Sequence, residues 1–163
     1  MVRDLHGGGV RRAPEVGGGR VAFSHDGRYL AYGPRGSADV LLWPQVPGLE
    51  QVRLDLGGSR ASAVAFSPDD TLVAAAHYKG RVRVWSMKDR IALWTDEQER
   101  WINTVRFSPD GRLLVTGGDD MTATVYDVHT GRRRLRLGFP SGVNDAVFVD
   151  GGRGLAICSA SGL

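Results

Sequence analysis

The sequence predicts an all-β chain built from repeated four-stranded antiparallel units. Two observations predict it. A turn recurs at Val21-Ala-Phe23-Ser-His-Asp-Gly27, Val64-Ala-Phe66-Ser-Pro-Asp69 and Val105-Arg-Phe107-Ser-Pro-Asp-Gly111, with a partial copy at Ala146-Val-Phe148-Val-Asp-Gly151. The phenylalanines stand 43, 41 and 41 residues apart, and the aromatics that close each third strand, Trp43, Trp85 and Tyr126, stand 42 and 41 apart. Self-similarity at such a period sets an architecture of stacked units before any site is considered.

Each element follows from local chemistry, most clearly in the third unit. In Phe107-Ser-Pro-Asp-Gly111, Pro109 presets φ for the second turn position, Asp110 tolerates the third and Gly111 supplies the positive φ that closes the turn. Short strands flank it. Leu113-Leu-Val115 leads to a second turn, Gly117-Gly-Asp-Asp120, and then to Thr122-Ala-Thr-Val-Tyr126, a β-branched and aromatic run. The same order gives Leu72-Val-Ala-Ala-Ala76, the turn His77-Tyr-Lys-Gly80 and Arg81-Val-Arg-Val-Trp85 in the second unit. In the first it gives Tyr29-Leu-Ala-Tyr32 and Val40-Leu-Leu-Trp43, and in the last Leu155-Ala-Ile-Cys158. Outer strands fill the gaps: Gln51-Val-Arg-Leu-Asp-Leu56 and Arg134-Leu-Arg-Leu137 alternate, and Arg90-Ile-Ala-Leu-Trp94 is largely apolar. On that alternation Leu135 and Leu137 point inward and Arg134 and Arg136 outward.

With the turn, the small-residue second strand and the aromatic third-strand ending in hand, the chain resembles the WD-repeat family of β-propellers from about Arg20 onward, in three repeats and part of a fourth. The resemblance implies about four four-stranded blades forming an arc, with repeats at about 20–57, 60–97, 101–138 and an incomplete 143–163. It implies a core of Phe23, Phe66, Phe107, Phe148, Trp43, Trp85 and Tyr126. Two departures stand out. No Gly-His dipeptide precedes any repeat, and the Trp-Asp ending survives only as Trp43-Pro44, Trp85-Ser86 and Tyr126-Asp127. Blades lacking those residues are expected to rely on apolar packing rather than on the buried polar network of the family.

Residues 1–19 hold two triple-glycine runs and read as a flexible lead-in, with the Val10 region in the place of a weak outer strand. An open arc leaves two apolar blade faces uncovered. The chain is therefore expected to be part of a longer propeller, or a half-ring that closes with a second copy into eight blades. A truncated copy with no independent role is a third reading.

Composition narrows the function classes. The 163 residues are 42% apolar and 24% charged, as in a folded domain. A net charge of +3 comes from scattered basic residues rather than from a nucleic-acid footprint. Scarce lysine beside abundant arginine points to a GC-rich bacterial genome. The single Cys158 excludes an internal disulfide framework and reads as a small hydrophobe in its strand. No apolar stretch resembles a signal segment or a membrane span, so no membrane partner is expected and the cytoplasm is the expected compartment.

Sequence offers little chemistry. His6, His25, His77 and His129 lie in turns or the tail without metal-ligand spacing, and are expected at the surface. Asp69-Asp70 and Asp119-Asp120 read as turn residues, as do the serines at 24, 67 and 108. No catalytic, cofactor or metal residue is assigned. A propeller enzyme, a hydrolase or lyase with a channel site, would have to draw on Arg20, Arg106, Asn103 and Asp145, the polar candidates on the innermost strands. The run Arg132-Arg-Arg134-Leu-Arg136 is expected to be an exposed outer strand, and nucleic acid is not an expected partner. By the resemblance, a non-catalytic scaffold docks a partner protein, or another domain of a longer chain, through rim loops just before each first strand. The candidates there are Arg60, Ser62, Arg100, Trp101, Asn103, Ser141 and Asn144. Trp101 leads, because Trp and Arg are the types most enriched in binding hot spots.

Overall fold

A computed structural model describes residues 2–3, 10–11 and 20–160. The first strand pair is β1 (Val2–Arg3) and β2 (Val10–Arg11), antiparallel to each other. The remainder of the 1–19 lead-in, and the last three residues, lie outside the described residues. Three complete blades follow. They are β3 (Ala22–Phe23), β4 (Tyr29–Tyr32), β5 (Asp39–Pro44) and β6 (Val52–Asp55); β7 (Ala61–Phe66), β8 (Leu72–His77), β9 (Arg81–Ser86) and β10 (Ala92–Glu97); and β11 (Ile102–Phe107), β12 (Leu113–Gly118), β13 (Thr122–Asp127) and β14 (Arg133–Gly138). A fourth sheet shows β15 (Val143–Val149) and β16 (Gly154–Ser159), joined through a 3-10 turn at Asp150–Gly152. Every pairing is antiparallel between sequence neighbours, and no described helix is long and apolar enough to cross a membrane.

The repeating turn works through its serine. Ser24, Ser67 and Ser108 are buried, and each hydroxyl donates to the aspartate two residues on, at 2.7, 2.6 and 2.6 Å. Each also accepts the N–H that opens the second strand, from Tyr29, Leu72 and Leu113, at 2.9 Å in all three. Gly111 takes φ +72° as the turn requires, and Asp70 adopts +56° in the second blade. The Asp70 carboxylate then crosses to the first blade, accepting the N–H groups of His25 and Asp26 at 2.9 and 2.8 Å.

Apolar packing lies between blades. Leu42, Leu54 and Leu56 of the first meet Phe66, Val73 and Trp85 of the second; Ala74, Ala76, Val82 and Val84 of the second meet Ile102, Leu114 and Tyr126 of the third. A smaller cluster joins Val115 and Val125 to Val143 and Ala146. Second strands such as Val73-Ala-Ala-Ala76 are fully buried because a neighbouring blade covers each side, which leaves room only for small residues.

Several expectations need correction. Phe23 is 50% exposed, because its two-residue strand has no further blade beside it among the described residues. Trp43 is half-buried; Phe107 and Phe148, also half-buried, pack against the second and third clusters as expected, and the fully or nearly buried aromatics are Tyr32, Phe66, Trp85 and Tyr126. Leu135 is 47% exposed, since the fourth blade shows no outer strand among the described residues to lie against it. Cys158 is exposed, for the same reason. His77 is buried: its Nδ1 accepts the N–H groups of Lys79 (3.0 Å) and Arg81 (3.2 Å), and burial holds its imidazole below the ordinary value. A turn position places the backbone at the surface and here turns the ring inward.

A partly buried polar network, which the sequence had argued against, joins the second and third blades. Gln98 Nε2 donates to Thr116 Oγ1 (2.6 Å) and Tyr126 Oη (2.8 Å), and the Tyr126 hydroxyl donates to Asp96 (2.7 Å), which also accepts from Arg133 Nε (2.9 Å). Burial above all, with Asp96 beside it, pushes the Tyr126 phenol well up.

Candidate functional site

The loop from Gln98 to Trp101 enters the third blade and is held at both ends. At its base the Gln98 side chain joins the partly buried network, and the Gln98 N–H donates to the Gly80 carbonyl at 2.8 Å. At its tip the Asp119 N–H donates to the Trp101 carbonyl at 2.8 Å. Two glycines permit these approaches: a methyl group on Gly80 would collide with the Gln98 carbonyl oxygen, and one on Gly118 with that of Trp101.

So fixed, Trp101 stands 53% exposed, edge-on to Tyr78 with ring centroids 5.2 Å apart at 80°. The Arg60 guanidinium covers the Tyr78 ring at 5.0 Å. Such edge and cation contacts orient aromatics without burying them. Tyr78, Lys79, Glu99, Arg100, Trp101 and Asp119 line a shallow depression of about 540 Å³. Asn103 backs this face, its amide donating to Asp119 (2.7 Å) and to the Val143 carbonyl (3.1 Å).

Four of the seven candidate residues, Arg60, Arg100, Trp101 and Asn103, thus gather around one platform between the second and third blades. Ser62 does not belong to it. It is buried, and its hydroxyl donates to the Ala76 and Ile102 carbonyls, which stitches two blades together. Ser141 and Asn144 lie at the entrance to the fourth blade and do not line the depression. Tyr78 was missed by sequence reasoning; the available signal was an aromatic ring in an otherwise polar turn, one period before Asp119.

At the axis three of the four polar candidates, Arg20, Arg106 and Asp145, bind one another. The Asp145 carboxylate accepts from Thr104 Oγ1 (2.6 Å) and from Arg106 and Arg20 (3.2 Å each). Burial raises its pKa, but these three donors outweigh that and bring it down to about 2. A carboxylate so held stays ionised at neutral pH and is ill suited to proton transfer. Among the described residues no group of three or more His, Cys, Asp or Glu converges as metal ligands would. In the basic run, Arg133, Arg134 and Arg136 pair with Asp96, Asp127 and Asp120.

Residues 55–86 and 92–127 match the profile of the family described as "WD domain, G-beta repeat". These are WD repeats. The chain is also similar to known proteins: the WD repeat-containing protein SL1-17 of Schistosoma mansoni is 31% identical over 112 residues, 69% of this chain and 37% of that protein. Protein groucho of Drosophila melanogaster is 26% identical over 140 residues, 84% of this chain and 19% of its own length. MST50-interacting protein 11 of Pyricularia oryzae is 29% identical over 106 residues, 63% of this chain and 33% of its own. The chain thus spans 19% to 37% of the length of these relatives. All three are eukaryotic, so the bacterial source read from arginine usage gains nothing from them.

Proposed function

We propose that the chain is a non-catalytic scaffold that docks a partner protein, or another domain of a longer chain, on the platform around Trp101. The observation that carries this reading is an exposed tryptophan held rigid by its carbonyl and by Tyr78 beside a shallow depression. Rigid aromatic anchors lose little entropy on binding, which is why they dominate hot spots. A relative named for interacting with MST50 supports the class of function. The cytoplasm fits such a role.

A photo-crosslinking amino acid in place of Glu99, which lines the same depression, should capture a discrete protein in cells and lose it when Trp101→Ala is added, whereas one in place of Arg112, in a turn at the opposite end of the strands, should not. Equal capture from both positions, or none from 99, would remove the reading.

We propose further that two copies close an eight-bladed ring. Val21, Phe23 and Val147 line a shared cavity along the innermost strands, while Val149, on the innermost strand of the fourth sheet, and Leu135, on the outer strand of the third, are 36% and 47% exposed. Apolar side chains so placed are what a blade-to-blade contact would cover. Light scattering is expected to return twice the 17.6 kDa chain mass; a concentration-independent monomer would contradict it.

A further inference from the structure

The partner's chemistry can be read from the charges around the platform, given that the platform docks a partner at all. Arginines on the strands are neutralised locally, Arg81 by Glu97, Arg83 by Asp55 and Arg106 by Asp145, whereas turn arginines such as Arg28, Arg90 and Arg112 form no ion pair among the described residues; what sets the platform apart is that its cations surround an exposed indole. At the platform, Arg60, Lys79 and Arg100 form no ion pair among the described residues. Two carboxylates also line the depression. Asp119 already accepts the Asn103 amide, which leaves Glu99 as the one acidic group there without a hydrogen-bond partner among the described residues. The aromatic surface is divided in the same way. The face of Tyr78 is taken by Arg60, so a ligand cation finds no open cage, and the indole of Trp101 is the apolar surface on offer.

We infer that the platform binds an extended acidic peptide segment carrying one large apolar or aromatic side chain. The apolar side chain packs on Trp101 in the depression, and its flanking carboxylates meet Lys79, Arg100 and Arg60. Cations left unpaired around a desolvating aromatic anchor attract carboxylates and select against basic segments through like-charge contact. Burying the apolar residue beside them supplies affinity that exposed ion pairs alone do not.

Selection of a random twelve-residue phage-display peptide library on the full chain tests this. Enriched peptides are expected to be net acidic with an aromatic or large aliphatic residue. Affinity of the most enriched should fall at least tenfold in Trp101→Ala and in Lys79→Glu/Arg100→Glu, and should fall with added salt. Neutral or basic enriched peptides that still depend on Trp101 would overturn the acidic assignment and leave the docking surface standing. Peptides indifferent to Trp101→Ala, or no enrichment at all, would overturn both.

Discussion

Replacing Tyr126 by alanine is expected to lower the unfolding free energy by about 3–5 kcal/mol, the usual range for truncating a large buried aromatic. The ring is fully buried between the second and third blades, stacked on Trp94 at 5.4 Å and 24°. Its hydroxyl sits between Gln98 and Asp96. The milder Tyr126→Phe separates packing from polarity, because it keeps the stack and strips one partner from each neighbour. Leaving buried polar groups short of a partner costs about 1–3 kcal/mol. Urea midpoints would read both. If Tyr126→Phe matched the wild type within about 0.5 kcal/mol, a margin within the scatter of surface substitutions, the network would be dispensable.

The second large effect is expected from Gly80→Ala. Gly80 has φ +92°, which an L side chain adopts only under strain, and the added methyl would meet the carbonyl oxygens of Gln98 and Arg100. The loop must therefore shift, taking Trp101 off Tyr78. A loss of about 2 kcal/mol or more is expected from the backbone strain and the collision together. The displacement is measurable by fluorine NMR of protein labelled with fluorotryptophan. The Trp101 resonance should move while that of Trp43, in the first blade, stays in place. An unmoved Trp101 signal with full stability would show that the loop is not held through Gly80.

The fold was legible because its signals are periodic and local. Phe-Ser-x-Asp specifies a turn whose serine and aspartate lie within five residues of the groups they bond, so one copy explains all. Burial at the ends of the arc was not legible, because Phe23 and Leu135 obey the strand pattern and are exposed only by what does not stand next to them. The network between the second and third blades was hidden for another reason: Gln98 reaches Thr116 and Tyr126, 18 and 28 residues away, and a glutamine in a loop carries no signature of such reach. Of the platform, Trp101 and Arg60 stood out by residue type and position. Tyr78 came into view only once the turn between β8 and β9 was seen to face the Trp101 loop.

The small second strands have a consequence for how such a chain can change. Val73 and Ala75 press against the first blade while Ala74 and Ala76 press against the third. Enlarging one of them is tolerated only if its neighbour across the gap shrinks, so variation along the arc should proceed by paired, compensating steps. A repeat that has adjusted to its two neighbours in this way is no longer interchangeable with its siblings. The sameness of the turns and the individuality of the interfaces between them are thus preserved by the same crowding.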